Sequence, residues 1–287
     1  MDEKGIDVDF SGRTPGIKSY IGAGGDEGET LLLPKGKHAT QSYFMQMFMG
    51  CFYILAASFV AVLGKGLGQI IYEEQANIDP SGVAFFSGIA VALALGLAQH
   101  AGASFKPWLV LWEWLTPRFR ALHGGWGWGF VAVLFFWLAA LAGAFLAAWF
   151  LWMLQLDNTV THAGVPVLGM NSGRGFAVEF VGAVFWGWAY FVIYHHAEMK
   201  KHVHRLLSAI VLGFLEAMLV YFAFPYSRGS FNVAYWLSTA SVSGYFPEGY
   251  WIYIIAPMLG YLLGFILHYL STMNWSNLML RAQEKEE

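Results

Sequence analysis

Residues 101–116 (AGASFKPWLVLWEWLT) and 227–241 (SRGSFNVAYWLSTAS) decide the fold. Each stretch starts with a loop of small residues and continues into an apolar segment, 107–116 or 233–241, that is too short to cross a bilayer, because a spanning helix needs about 20 residues. The loop backbone of a segment that dips into a membrane must be satisfied by protein or by water in a cavity. The two stretches therefore predict two re-entrant half-helices.

Longer apolar stretches surround these two segments. Six are long enough to cross a bilayer: 43–64, 82–100, 126–154, 175–195, 206–224 and 249–271. The 287-residue chain is 57% hydrophobic and 18% aromatic, whereas only 12% of its residues are charged. A soluble globular protein carries about 25% charged residues, so these proportions exclude a soluble enzyme and suit a lipid environment. We expect an all-α membrane protein with a transmembrane domain at 43–271, a polar N-terminal tail at 1–42 and a polar C-terminal tail at 272–287.

The composition and motifs also argue against several classes of function. A net charge of −3 gives no basic footprint for nucleic acid. We find no nucleophile, base and orienting group on one loop and no nucleotide motif, so we expect no enzyme activity and no cofactor. His202 and His204 have a spacing that would allow a metal site. Together with His195 and His196 they flank a short loop that contains two lysines. We prefer a solvated loop facing lipid headgroups, with no metal.

Lysine and arginine residues predict an orientation. With six spans and both termini on one side, the loops on that side carry five basic residues, and the opposite loops carry Lys65, Arg174 and Arg228. Adding the tails makes the count twelve against three. Because basic residues accumulate in cytoplasmic loops, we expect both termini in the cytoplasm or an equivalent compartment such as the mitochondrial matrix. The N-terminal tail resembles neither a secretory signal nor a transit peptide, and an organellar inner membrane remains compatible with it.

Tryptophans lie near the ends of the predicted spans. They are Trp126, Trp128, Trp236, Trp251 and Trp275. Tryptophan is enriched where a membrane meets water. We therefore expect these side chains to be interface anchors.

The two halves of the chain repeat one pattern. Gln46 lies early in the first span and Glu179 early in the fourth, and each half carries its half-helix after its second span. Since each half has an odd number of spans, the second half must be inverted relative to the first, as in channels and transporters. We place repeat one at 43–154 and repeat two at 175–271.

This arrangement resembles the major intrinsic proteins, the aquaporin and aquaglyceroporin family, over residues 43–271. Residues 139–147 (AALAGAFLA) are similar to the family's small-residue crossing helix, and residues 250–260 (YWIYIIAPMLG) resemble its aromatic-rich entry followed by Pro and Gly. The resemblance implies an aquaporin-like fold with six transmembrane helices and two re-entrant half-helices in an inverted repeat. It also implies a lipid bilayer as partner and, for a free channel, a homotetramer.

The motifs that carry conduction in that family are changed here. In the family, each half-helix begins with Asn-Pro-Ala, and the two asparagines donate hydrogen bonds to passing solute. The corresponding motifs of this chain are Lys106-Pro107-Trp108 and Asn232-Val233-Ala234, and Tyr235 stands where the family has the arginine of its outer filter. The fold signature is therefore kept, while the conduction signature is damaged.

Lys106 requires an anionic partner. Two facing half-helix N-termini already concentrate positive potential, and an unpaired charge at the bilayer midplane costs at least about 2.5–3.5 kcal/mol. Counting back from the two motifs by the family's spacing gives these pore-facing positions: Phe86, Ala90, Glu216 and Val220. We predict a buried Lys106–Glu216 ion pair across the channel axis. Glu113, two turns from Lys106, is the rival partner, although it could instead face another subunit or snorkel.

These four positions, together with four others, predict the residues that line the pore. The midplane ring consists of Tyr53, Ala90, Trp186 and Glu216, and the outer filter consists of Phe86, Val220, Gly229 and Tyr235. Bulky rings and an ion pair in a lumen about one water wide predict an occluded pore. In the family the carboxylate at the place of Glu179 accepts hydrogen bonds from half-helix backbone, so we expect Glu179 to be structural. We expect the uncharged side chain of Gln46 to accept hydrogen bonds from half-helix backbone in the first repeat.

Two functions follow from these features. The first is a structural or accessory subunit of a larger membrane complex, with other membrane protein subunits as partners. The alternative is a functional channel for water or small neutral solutes with altered selectivity, or for an anion drawn to Lys106.

Overall fold

The computed structural model describes residues 37–73, 80–154, 164–195 and 202–272. In this part of the chain the helices, in order, are α1 (Lys37–Glu73), α2 (Pro80–Ala98), α3 (Pro107–Glu113), α4 (Pro117–Leu122), α5 (Gly125–Leu154), α6 (Ser172–His195), α7 (His202–Ser227), α8 (Val233–Ser243) and α9 (Ile252–Thr272). Six of these helices, α1, α2, α5, α6, α7 and α9, are long and apolar enough to cross a membrane. The expected all-α fold with six spans is confirmed, and most of both predicted tails lies outside the described residues.

Helix α1 runs through Lys65, which the sequence analysis counted as a loop residue. The predicted first span ended at residue 64, but the helix continues to Glu73. Lys65 is buried rather than solvated, because its side chain finds partners inside the bundle. Without Lys65 the opposite side keeps Arg174, at the start of α6, and Arg228, and the count becomes five against two. The corrected count keeps the same sign, and the placement of the termini stays a prediction.

Two of the three short helices in the described residues, α3 and α8, are the predicted half-helices. Helix α3 starts with Pro107 directly after the extended residue Lys106, and proline is well suited to the first position of a helix, where its missing N–H is not needed. Helix α8 is capped by Asn232, whose Oδ1 accepts a hydrogen bond of 3.0 Å from the backbone N–H of Ala234. It ends at Gly244 with φ of 68°, a left-handed geometry that glycine adopts without strain. Helices α3 and α8 contact each other, as two inward-pointing half-helices must.

The packing of the helices follows the predicted repeat. Helix α1 packs against α2 and α5, and helix α6 packs against α7 and α9. Half-helix α3 contacts α5 and α9, while half-helix α8 contacts α9 and α5. Exchanging α1, α2, α3 and α5 for α6, α7, α8 and α9 therefore reproduces this set of contacts, as expected for an inverted repeat.

Two glycines allow the tightest helix crossings of the repeats. A Cβ atom at Gly143 of α5 would overlap the carbonyl oxygen of Leu55 in α1. A Cβ atom at Gly260 of α9 would lie 2.5 Å from the carbonyl oxygen of Phe180 in α6. Small residues at such crossings let helix backbones approach closely within a membrane. Both glycines belong to the stretches that carry the family resemblance.

The tryptophans expected as anchors differ in exposure, and the interface role of the exposed ones stays a prediction. Trp126, Trp128 and Trp251 lie at helix ends with exposed side chains. Trp236 is buried instead, and its ring is stacked 5.9 Å from that of Tyr253. The prediction for Trp236 is therefore wrong, because the half-helix that carries it lies inside the bundle rather than at its rim. Trp275 lies outside the described residues.

Candidate pore and its buried ion pair

Lys106 and Glu216 form the predicted ion pair. The ammonium nitrogen of Lys106, just before α3, donates a hydrogen bond of 2.9 Å to Oε2 of Glu216 in α7. Both side chains are buried. The ammonium also lies 3.9 Å from the centre of the Trp186 ring, within the range of a cation–π contact. Each charge thus has the partner that its burial requires.

Glu113, the rival partner, holds a loop instead. Its Oε2 accepts a hydrogen bond of 2.8 Å from the backbone N–H of Ser104, in the loop before α3. Its Oε1 accepts a hydrogen bond from the hydroxyl of Tyr190 in α6. The side chain is buried, which rules out the expectation that it snorkels or faces another subunit. Both carboxylate oxygens are engaged without Lys106.

Glu179 fixes the corresponding loop in the second half. Its Oε1 accepts hydrogen bonds of 2.7 Å from the hydroxyl of Ser227 and from the backbone N–H of Ser230. Its Oε2 accepts a hydrogen bond of 2.8 Å from the backbone N–H of Phe231. These are the hydrogen bonds to half-helix backbone that the resemblance implied for this carboxylate. Glu179 therefore satisfies buried donors that would otherwise be unpaired.

Gln46 does not perform this task in the first half. Its side chain is exposed on α1, whereas the next residue, Met47, is buried. Because one residue turns a helix by about 100°, Gln46 points away from the loop that precedes α3. The expectation for Gln46 is wrong, and Glu113 supplies the acceptor from within the half-helix itself.

The predicted midplane residues gather only in part around the ion pair. The Trp186 ring lies under the ammonium of Lys106, stacked 5.5 Å from Tyr190 and edge-on 6.2 Å from Tyr261. Ala90 is buried on α2. Tyr53 is half-buried, and the centre of its ring lies 5.1 Å from that of His100.

The predicted outer filter contains an additional cation. The ammonium of Lys65 donates a hydrogen bond to the carbonyl oxygen of Gly229 and lies 5.0 Å from the centre of the Tyr235 ring. The hydroxyl of Tyr235 donates to Oε1 of Gln69. Two predicted filter residues are thus held by side chains from α1. Of the other two, Val220 is fully buried beside Gly229, and Phe86 is half-buried.

Sequence reasoning missed the contributions of Lys65, Gln69 and Tyr261. Lys65 and Gln69 are four residues apart and therefore share one face of α1, and a charged residue within an apolar helix is a functional candidate by default. That signal was overlooked because Lys65 was taken as the end of the span. Tyr261 carries no such signal, although its hydroxyl donates to the carbonyl oxygen of Phe231 in the second half-helix loop.

The described residues contain no group of three His, Cys, Asp or Glu side chains arranged to hold a metal ion. The side chains of His202 and His204, the one metal candidate of the sequence, are outside the part that the structure describes.

The fold and the buried half-helix site together define a class of protein. The family model of the major intrinsic proteins matches residues 37–268, and the chain therefore belongs to the major intrinsic protein family. This confirms the resemblance drawn from the half-helix motifs, and it makes the chain an integral membrane protein with a channel-family fold.

Individual relatives agree with this assignment at low sequence identity. "Probable aquaporin TIP2-2" of Arabidopsis thaliana is 26% identical and covers 85% of this chain and 89% of its own length. "Aquaporin TIP2-1" of Zea mays is 30% identical and covers 71% of this chain and 81% of its own. Among solved structures, the aquaglyceroporin from Plasmodium falciparum matches with a TM-score of 0.63 at 15% identity, covering 78% of this chain and 95% of that one. The last similarity concerns the fold alone.

Proposed function

We propose that this protein is a closed member of its family, with a pore axis filled by side chains, and that it serves as a structural or accessory subunit in a membrane. The closure has two layers in this proposal. The Lys106–Glu216 pair with Trp186 fills the centre, and Lys65 with Tyr235 fills the outer filter.

The burial of the axis residues carries this proposal. Trp186 is 0% exposed, Lys106 is 1% exposed, and Glu216 and Tyr235 are each 2% exposed to a water-sized sphere. A lumen wide enough for water would wet its walls, including these side chains. Their burial supports an axis without a continuous water path.

Opening the centre would be costly because the two charges are already paired. Separating Lys106 from Glu216 without a replacement partner leaves buried charge uncompensated, which costs about 3–5 kcal/mol. At about 1.4 kcal/mol per tenfold, the open form would make up between about one in a hundred and one in a few thousand molecules. Such a population supports little flux.

A helix bundle whose axis is filled can act through contacts on its outer surface, because its interior has no room for a solute. The carboxylates of Glu113 and Glu179 and the close helix crossings stabilise the fold, and none of these contacts requires conduction. We infer that the protein acts by packing against other membrane protein subunits. If the protein is extracted in mild detergent from its native membrane, distinct partner proteins should copurify in fixed proportion. A particle containing only this chain would count against the subunit role.

A selective channel is the second candidate. It is favoured by the similarity to proteins named aquaporins over most of the chain and by Asn232, which keeps its place at the start of the second half-helix. In that case the ion pair would part to admit a small solute, and a homotetramer would be the expected assembly.

Osmotic flux through reconstituted liposomes decides between the two. The purified full-length protein is inserted into liposomes, which are mixed rapidly with a hyperosmotic solution of sucrose or of glycerol while light scattering records their volume. A closed protein leaves the rate of shrinkage equal to that of empty liposomes. Faster shrinkage in sucrose, or faster re-swelling in glycerol than empty liposomes show, would contradict closure and support the channel.

A further inference from the structure

A small cleft opens at the end of the bundle that carries α4. Four segments converge there, and the residues that line the cleft are Gln99, Arg118, Ile193, Tyr194, Arg205 and Ser208. We propose that this cleft binds a phosphate group, supplied either by an anionic lipid headgroup or by a soluble phosphate compound. The inference does not depend on whether the pore conducts.

The cleft holds positive charge without a matching carboxylate. Arg118 and Arg205 both line it, and none of its lining residues is acidic. In the part of the chain that the structure describes, no carboxylate lies within ion-pair distance of Arg205. The nearby carboxylate of Glu113 is buried and accepts hydrogen bonds from Ser104 and Tyr190. An anion entering the cleft would therefore find two guanidinium groups that no carboxylate of the described residues is shown to pair with.

The position of Arg205 is not explained by the stability of its own helix. Helix α7 begins at His202, so Arg205 lies in its first turn. The N-terminal end of a helix carries partial positive charge and disfavours cations. A bound anion would reverse this, because it would face both the guanidinium and the positive end of the helix. Ser208, one turn further along α7, also lines the cleft.

Arg118 is fixed in a way that leaves donors available. Its Nη1 donates a hydrogen bond to the carbonyl oxygen of Tyr194, near the end of α6. A guanidinium has five N–H donors in one plane. The hydrogen bond to Tyr194 orients this plane and uses one donor. Planar forks of this kind match the geometry of phosphate oxygens. The two arginines thus form a site for phosphate rather than for a cation or a neutral sugar.

The cleft lies near the level expected for lipid headgroups. Trp126, at the start of α5, is exposed, and its ring packs edge-on against that of Trp114 at 5.4 Å. Arg120 stacks on the Trp126 ring at 3.8 Å. Tryptophan and basic residues collect where a membrane meets water, and basic pockets at that level take anionic headgroups. A lipid phosphate could therefore reach the cleft from the side, and a soluble phosphate from the aqueous face.

Thermal unfolding of the full-length protein tests the site. Melting is measured in detergent with increasing phosphatidic acid, with phosphatidylcholine as the neutral lipid, and separately with increasing inorganic phosphate. The variants are R118Q and R205Q, and R120Q is the matched control because it removes the same charge at the same end outside the cleft. R205Q guards against a folding defect, since Arg205 makes no ion pair with the described residues.

We expect phosphatidic acid, inorganic phosphate or both to raise the melting temperature of the wild type and of R120Q. R118Q and R205Q should each need about tenfold more of the same probe, the loss expected for one hydrogen bond to a charged group. A response to phosphatidic acid alone identifies a lipid site, and a response to inorganic phosphate identifies a soluble ligand; either supports the proposal. Equal weakening in R120Q, or no stabilisation of the wild type by either probe, overturns it.

Discussion

Replacing one partner of the Lys106–Glu216 pair should cost more stability than replacing both. The variants are Lys106→Met, Glu216→Leu and the double variant, each of which keeps a side chain of similar volume. Either single change leaves a buried charge without its partner 2.9 Å away, which costs about 3–5 kcal/mol. The double variant removes both charges together with their desolvation cost, and we expect it to lose clearly less stability than either single variant.

The Trp186 ring affects the size of these losses but not their order. Lys106→Met gives up the cation–π contact with Trp186, worth about 2 kcal/mol at a desolvated site. The methionine sulfur recovers part of this, since sulfur packs favourably against aromatic rings. Glu216→Leu keeps this contact, so the loss narrows its difference from the double variant. The loss stays smaller than the cost of the unpaired buried ammonium, and the double variant should therefore remain more stable than either single variant.

The free energy of unfolding of the full-length protein, from denaturant titration in mixed micelles, measures all three variants. Arg174→Met is the control, because Arg174 is exposed at the start of α6 and should combine additively with Glu216→Leu. The reasoning is refuted if the loss in the Lys106–Glu216 double variant equals the sum of the two single losses within about 0.5 kcal/mol, which is the behaviour of independent sites.

Three other predictions concern the supports of the fold. Glu179→Gln and Glu113→Gln should each lower the free energy of unfolding, because an amide offers one acceptor oxygen where the carboxylate offers two. The expected loss is at least about 1.5–3 kcal/mol, the contribution of one hydrogen bond to a charged group. Unchanged denaturation midpoints would contradict this. Gly143→Ala should lower the free energy of unfolding by about 1–3 kcal/mol through overpacking. Gly127→Ala, in the same helix, is the control and should be neutral in the same denaturation assay, because no neighbouring atom lies within 4 Å of the added Cβ. Equal losses in the two variants would contradict the argument that Gly143 allows a close helix crossing. Burial lowers the pKa of His123 from 6.5 to about 4. The folded state therefore holds this side chain neutral, and stability should fall by up to about 1.36 kcal/mol per pH unit as the pH falls from 6.5 to 4. His123→Phe should flatten that part of the profile of stability against pH, and an unchanged slope would show that other groups cause it.

The half-helices and the ion pair could be predicted from the sequence because both depend on spacing. An apolar segment of about ten residues after a small-residue loop cannot span a bilayer, whatever surrounds it. The resemblance to the major intrinsic proteins then gives Glu216 as a pore-facing position, by a count back from the second half-helix motif, and a buried ammonium demands an anion. These two constraints needed no knowledge of neighbouring side chains.

The misplaced residues depended on neighbours that the sequence does not reveal. Lys65 reads as the end of a span until the carbonyl of Gly229 is known to lie beside it. Gln46 and Met47 differ by one step on α1, and the direction of that helix decides which one faces inward. Trp236 resembles an interface anchor unless α8 is placed inside the bundle. Each error came from tertiary packing overriding a local pattern.

The osmotic water permeability of liposomes, normalised to the amount of inserted protein, tests the closed axis most directly. The wild-type protein is compared with empty liposomes and with a water-conducting aquaporin reconstituted in parallel. If Lys106, Glu216, Trp186 and Tyr235 fill the axis, as we propose, the permeability should be indistinguishable from that of empty liposomes and at least about a hundredfold lower per molecule than that of the conducting aquaporin. A permeability per molecule close to that of the conducting aquaporin would contradict the closed pore.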